Sequence, residues 1–330
     1  MKIVIVGAGI VGLSTALALL EHGYDDVTIV AENLNDTTSH TAGAVWRPVF
    51  AGATSDRTMD HWSHETMLWL RQLTERHGPT VVGIQRTPGI ELSDSPPEAH
   101  PYWAHSVEDF RLLTRDEALQ HPPHDKEFGI AYTSVMIHPG ILMQWMAKQI
   151  KSRGGKFETR FVASLDELDG DVVINCTGLG ARKLVGDASV YPVRGQVIKV
   201  FNPNIKRFVC VESYGQYTYI LPRPGGEVIV GGTADIGNWN TANNDADIAA
   251  IMDRAVAVMP EIKGSNVLYA KAGLRPSATR GTRVELNPKR TSKHKAWVIH
   301  NYGHGGSGHT IHRGCASAVV NIVRSYTSKL

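Results

Sequence analysis

The chain has 330 residues and 36.1 kDa, more than one average domain and fewer than three, so two domains are expected. With 34 Lys and Arg against 32 Asp and Glu the formal net charge is +2, which excludes the broad cationic face that nucleic-acid binding needs. Hydrophobic residues at 42% exclude a disordered scaffold, and three scattered cysteines, Cys176, Cys210 and Cys315, exclude a disulfide framework and fit a reducing compartment as small buried hydrophobes.

The apolar stretch 3–20 is broken by glycines and lacks a cleavage-like exit, so it reads neither as a signal peptide nor as a membrane span. Residues 2–6, Lys-Ile-Val-Ile-Val, form a β-branched run suited to a buried parallel strand. Gly7-Ala8-Gly9-Ile10-Val11-Gly12 is a turn, Leu13, Ala16, Leu17 and Leu20 repeat at helical spacing, and Gly23 ends the helix before a second strand over 27–30. In that context Gly7 makes the tight turn, Gly9 admits a pyrophosphate to the helix N-terminus, and Gly12 lets helix and strand pack closely. Glu32 lies twenty residues beyond Gly12, where a carboxylate accepts from the hydroxyls of an adenosine ribose. FAD and NAD share this half and are not separated by it.

Met59, Trp62, Met67, Leu70 and Leu73 predict a core-packed helix over 57–77, closed by Gly78-Pro79. Residues 79–138, rich in Pro and short polar turns without a βαβ rhythm, predict an inserted antiparallel unit. A helix over 141–150, a short strand over 156–159 and a buried strand over 171–176 then resume the nucleotide-binding sheet, delivering the chain into Thr177-Gly178. A second departure follows, with a strand over 196–200 and a hairpin of strands 217–221 and 227–230 around Pro222-Arg223-Pro224-Gly225-Gly226. A last buried strand, 297–300, leads through a Gly-rich turn into a helix opening near Thr310, with Ile311, Cys315, Val319 and Ile322 on one face. Its N-terminus offers free N–H groups to an anionic ring. The expected fold class is α/β: a Rossmann-type domain of residues 1–48, 139–190 and 270–330, interleaved with an α+β substrate domain of 49–138 and 191–269 on a large antiparallel or mixed sheet. Such interleaving suits an FAD oxidoreductase better than a nicotinamide dehydrogenase, whose Rossmann domain is usually contiguous.

With GAGIVG at the start, Ala44-Val45-Trp46-Arg47-Pro48, Asn175-Cys176-Thr177-Gly178, Arg194-Gly195-Gln196, Tyr219-Ile220-Leu221-Pro222, Gly273-Leu274-Arg275-Pro276 and the run 298–306, the chain resembles the D-amino-acid oxidase family, which includes D-aspartate oxidases. The blocks span essentially the whole chain in family order. The resemblance implies FAD, hydride transfer from the Cα of a D-amino acid to flavin N5, hydrolysis of the imino acid to a 2-oxo acid and ammonia, and reduction of dioxygen to hydrogen peroxide. It implies that Arg275 holds the substrate carboxylate, for which a planar, always-charged fork is suited, that Tyr219 points its hydroxyl at the same group, and that the carbonyl of Gly306 accepts from the amine. It places the cofactor against Gly7, Ala8, Gly9, Ile10, Val11, Gly12 and Glu32, against Thr38 and Ser39 at the diphosphate, and against Gly43, Ala44, Val45 and Trp46. Val162, Cys176, Thr177, Gly178, Arg275 and the run Gly303, His304, Gly305, Gly306, Ser307, Gly308, His309 and Thr310 complete the set, with Thr310 at the pyrimidine carbonyl. Positioning is the main demand of such chemistry, so no catalytic dyad is required. His300, His304, His309 and His312 straddle a strand, a turn and a helix start without a metal-binding spacing, and no metal is expected.

The substrate side-chain pocket is assigned to Arg47, Tyr214 and Tyr217. The two arginines that bind the side-chain carboxylate in mammalian D-aspartate oxidases correspond to Glu212 and Ala234, which points to neutral D-amino acids. Arg47 offers an alternative route to D-aspartate or D-glutamate, unless it pairs with a nearby acid. The segment 210–218 is shorter than the active-site lid of mammalian members. Ser328-Lys329-Leu330 matches a peroxisomal import signal read by a receptor, so a peroxisomal matrix location is expected, with no membrane and no nucleic-acid partner; a homodimer stays open. A nicotinamide-dependent dehydrogenase and a flavin-bound sensor are the alternatives from other classes.

Overall fold

The computed structural model describes residues 1–49, 52–213 and 215–327. Its strands, in chain order, are β1 (Lys2–Val6), β2 (Asp26–Ala31), β3 (Ile84–Ser93), β4 (Glu108–Leu112), β5 (Phe128–Ile137), β6 (Lys156–Thr159), β7 (Val172–Asn175), β8 (Val190–Phe201), β9 (Phe208–Ser213), β10 (Gln216–Pro222), β11 (Glu227–Gly231), β12 (Asp235–Ile236), β13 (Asn266–Ala278), β14 (Arg283–Leu286) and β15 (Trp297–Tyr302). They form two sheets. The first runs β14-β15-β7-β1-β2-β6, parallel except for the β14–β15 pair. From β1 the chain proceeds outward to β2, and later strands fill the other side through β7 and β15. The β1–β7 gap is therefore a topological switch point, where such sheets bind ligands beyond their carboxyl ends.

The helix Ile10–Glu21 is buried on nearly every side. A helix apolar all round must be enclosed, and this one packs against both the Pro139–Ser152 helix and the final helix, Gly308–Thr327. The last helix opens at Gly308, two residues before the expected start, because the Ser307 carbonyl already accepts from the N–H groups of Thr310 and Ile311.

The second sheet has nine strands, in the order β12-β8-β11-β10-β9-β3-β5-β4 with β13 on β8. It is antiparallel except where β3 meets β9, so the 79–138 segment and the later hairpin form one surface. Two expected domain limits differ from this arrangement. β13 pairs with β8 from Asn266 to Ala278, so the limit at 270 falls inside a strand, and the chain returns to the first sheet only with β14. The four leading residues of β13 are all exposed at the sheet edge, which erases the alternation that would have marked them as a strand. The helix Asp56–His77 was expected with the second domain, yet it packs on the final helix of the first. A Cβ on Gly314 would overlap the Trp62 backbone, so these helices meet backbone to backbone. Among the described residues no helix is long and apolar enough to cross a membrane.

Candidate active site

A continuous cavity of about 1480 Å³ lies between the carboxyl ends of β1, β2 and β7 and the face of the nine-stranded sheet. It exceeds the roughly 300–1,000 Å³ of an ordinary small-molecule pocket, leaving room for a dinucleotide and a second reactant.

The nucleotide half is made largely of backbone. Gly7 has φ +111°, and a Cβ there would overlap the Cys176 carbonyl; one on Gly12 would overlap the Gly7 carbonyl. These two glycines close strand against helix, and Gly12 does not itself face the cavity. Gly9 does, as the N-cap of a helix with no acidic residue in its first turn and no cap from its own side chain; the Ser39 hydroxyl accepts from Ile10 N–H at 3.1 Å. The Gly308 helix end also lines the cavity without an acid. Two uncompensated helix N-termini favour an anionic ligand. Ala8, Ile10, Val11, Glu32, Thr38, Val162, Cys176, Thr177 and Gly178 line the same half, joined by Arg160, Phe161 and Ala163, which nothing local in the sequence singled out.

Further along, Gly43, Ala44 and Val45 line the wall. Ala44 holds a left-handed φ of 58°, fixed on one side because its carbonyl accepts from Ile137 N–H and Trp46 N–H donates to Val135 on β5. On the other side the buried guanidinium of Arg223 donates to the carbonyls of Ala42 and Gly43; burial lowers its pKa to about 10. The sequence placed Arg223 only in a hairpin turn, and a charge between two prolines was the one signal of a structural task. Gly305, Gly306, His304 and His309 complete this stretch. His309 Nε2 bonds the Ser39 carbonyl at 2.9 Å, while its Nδ1 and His304 Nε2 are buried without a partner among the described residues. Burial lowers their pKa values to about 4 and about 3. Both histidines are thus uncharged members of this part of the wall.

Besides Gly12, four expected cofactor contacts do not reach the cavity. Trp46 is fully buried, its indole donating to the Ser63 carbonyl at 3.0 Å. The Thr310 hydroxyl donates to the Arg47 carbonyl at 3.1 Å and accepts from Arg47 N–H at 3.3 Å. Ser307 makes the same double bond with the backbone of Val49. Gly303, at φ +84°, turns the chain against Ala278. Adjacency in sequence does not say which way a side chain faces, and here residues 304–306, 308 and 309 line the cavity while Ser307 and Thr310 clasp the 47–49 segment.

The substrate half is built from strands distant in sequence. Tyr219 on β10 and Arg275 on β13 both line the cavity with Gly306, and the charge of Arg275 acts on the Tyr219 phenol. Cβ atoms on Gly231 and Gly195 would overlap the Tyr219 ring and the Arg275 guanidinium respectively. Those glycines open the space the two anchors occupy. Arg275 also donates to the Thr233 carbonyl at 3.0 Å. Burial raises the Tyr219 pKa, with Arg275 opposing it, so the phenol keeps its proton.

Tyr217 lines the cavity next to Tyr219, with ring centroids 6.0 Å apart. Beyond it, Arg47 meets Glu91, a residue with no local sequence signal to select it: Nε to Oε1 is 2.8 Å and Nη2 to Oε2 is 3.2 Å. The Tyr132 hydroxyl also donates to Glu91. Arg47 thus has an acidic partner in the structure. Glu212 is exposed and off the cavity wall, whereas Ala234 lines it. Tyr214 lies outside the described residues, and the β9–β10 connection has only two residues, consistent with its register. Among the described residues no group of three or more His, Cys, Asp or Glu could hold a metal.

A dinucleotide cradle at a sheet switch point, opening onto a paired arginine and tyrosine, defines the class: an oxidoreductase that works with a bound nucleotide cofactor. Residues 2–322 match the family model of FAD dependent oxidoreductases, and the chain belongs to that family. It is 36% identical over 320 residues to a D-amino-acid oxidase of Rubrobacter xylanophilus, covering 96% of this chain and 93% of that protein. It is 33% identical over 327 residues to a D-aspartate oxidase of Homo sapiens, covering 98% and 94%. A glycine oxidase from Geobacillus kaustophilus shares the fold with a TM-score of 0.80 at 21% identity, over 98% of this chain and 94% of that one. The cofactor is FAD, which closes the choice that the glycine turn alone left open.

Proposed function

We propose that the protein oxidises D-amino acids, with dioxygen as the final acceptor and a 2-oxo acid, ammonia and hydrogen peroxide as products. The observation that carries this reading is the Arg275–Tyr219 pair beside Gly306 in one cavity with the dinucleotide cradle. Relatives named D-amino-acid oxidase support it. FAD, when bound, supplies the two-electron acceptor for the hydride that leaves Cα. The chain's own residues bind and orient. Arg275 holds the substrate carboxylate, Tyr219 donates to it, and the Gly306 carbonyl accepts from the amine. Carboxylate and amine are two fixed substituents of Cα, the side-chain pocket receives the third and so selects one hand, and positioning of this kind supplies most of the catalysis such chemistry needs.

The test is direct. The purified protein carries flavin absorbance that bleaches anaerobically with D-alanine and not with L-alanine, and air restores it with release of peroxide; protein that cannot be reconstituted with FAD, or that bleaches with the L-enantiomer, overturns the reading. A flavin-bound sensor, the non-enzymatic alternative, predicts stable absorbance with either. Within the same proposal the enzyme works in the peroxisome, on the strength of Ser328-Lys329-Leu330, which lie outside the described residues. A fluorescent fusion that enters peroxisomes with these residues and stays diffuse without them supports it; identical distributions count against it.

A further inference from the structure

The substrate half ends in a charged corner. Arg47 and Glu91 both line the cavity with side chains only 20% and 15% exposed. Their contact is two-pronged, and the guanidinium is held on two further sides: Nη1 donates to the Pro48 carbonyl at 3.0 Å, and the carbon of the fork lies 4.1 Å from the centre of the Trp103 ring. Glu91 is fixed as well, by the Tyr132 hydroxyl. The groups facing this corner from neighbouring strands are Tyr132, Tyr217 and Cys210, all neutral, since burial pushes each titration up. Tyr217 stands between the corner and Tyr219, so the pair lies one aromatic ring beyond the carboxylate anchor.

A mutually neutralised ion pair presents little net charge. A side-chain carboxylate reaching for Arg47 would have to displace or share Glu91, setting two negative charges together where water is scarce. An ammonium reaching for Glu91 would meet Arg47 in the same way. We infer that Glu91 is a specificity-determining residue: by occupying Arg47 it prevents the corner from accepting an acidic side chain, and the site takes D-amino acids with uncharged side chains. The inference rests on the function proposed above and adds the residue that sets its substrate class.

The test compares succinate with butyrate, the amine-free counterparts of D-aspartate and D-2-aminobutyrate, by perturbation of the flavin spectrum of the holoenzyme. Turnover of the two amino acids is followed by peroxide release. Wild-type protein binds butyrate about ten-fold or more tightly over succinate, the scale expected for an uncompensated like charge. Glu91→Gln keeps the shape and one acceptor but releases Arg47; succinate affinity and kcat/KM for D-aspartate rise by about ten-fold or more, while butyrate and D-2-aminobutyrate, which lack a side-chain charge, change by less than about three-fold. Adding Arg47→Gln to that variant abolishes the gain. Equal binding of the two acids by wild type, or no gain in a Glu91→Gln protein that retains flavin, overturns the inference. Should the single variant lose flavin, Arg47→Gln/Glu91→Gln, which leaves no charge unpaired, serves alone: a butyrate preference within about three-fold of wild type supports mutual neutralisation, and a larger shift refutes it. A yellow wild-type protein that oxidises neither amino acid defeats the proposed function itself, whereas normal turnover of D-2-aminobutyrate with an unresponsive Glu91→Gln defeats only the role of Glu91.

Discussion

The two halves of the cavity are made by different means. In the nucleotide half, backbone does the binding: Gly7, Gly9 and Gly12 sit within six residues of one another, and two helix ends supply the dipoles. In the substrate half, side chains from β3, β5, β10 and β13 converge across more than 180 positions of sequence, and Gly195 and Gly231 clear space for them. The first kind of site is local and tolerates changes elsewhere. The second depends on the register of a whole sheet, because a slip of one residue turns Tyr219 or Arg275 to the opposite face.

If the halves are separable, removing a substrate anchor should leave the cofactor in place. Arg275→Ala carries the largest expected effect, a fall in kcat/KM of about 10²–10³-fold, the cost of losing one partner of a charge-assisted contact, with flavin content unchanged. Loss of flavin in that variant would show that the halves are coupled. Gly12→Ala attacks the other half, since its Cβ would overlap the Gly7 carbonyl; overpacking of about 1–3 kcal/mol falls on the cradle, seen as weakened FAD binding in equilibrium dialysis. Gly195→Ala is the matched insertion in the substrate half: displacing the Arg275 guanidinium raises KM by about ten-fold while dialysis finds FAD retained. Equal flavin loss in both alanine variants breaks the comparison.

Acid acts on the nucleotide half. His309 and His304 are held neutral by burial, at about 4 and about 3 against an ordinary 6.5. Below pH 6.5 the unfolded chain takes up protons that the fold refuses, so stability falls as pH drops from 6.5 toward 4. Thermal melting across that range should show a slope that His309→Gln reduces, and an unchanged slope would remove His309 from the account. The smallest effect is expected from Tyr219→Phe, about two- to ten-fold in KM for one lost hydrogen bond to a charged group, with flavin spectrum and stability preserved.

How much of this could be read in the sequence follows the same division. The cradle was legible because turn, helix and Glu32 lie in one βαβ unit with fixed spacing. Arg275 and Tyr219 became visible through blocks shared with a known family, not through any local pattern, since a strand tyrosine is ordinarily part of a packed sheet face. Glu91 stayed hidden: an acid in the middle of β3 carries no mark of the arginine 44 positions earlier that it will meet. Trp46 and Thr310 show the reverse failure, where position within a recognised block suggested contact and the side chains turned elsewhere.

The strand order has a consequence in time. β1 and β7 flank the switch point, β15 lies beyond β7, and β15 and the final helix come from the last 34 residues. During synthesis the nascent chain therefore holds β1, β2 and the glycine turn for most of its elongation without the strand and helix that close the cavity, and contacts of such long sequence separation form late. Cofactor capture must wait until the C-terminal segment has been delivered, so a chain interrupted between residues 33 and 297 keeps its most recognisable motif intact and its binding site unmade.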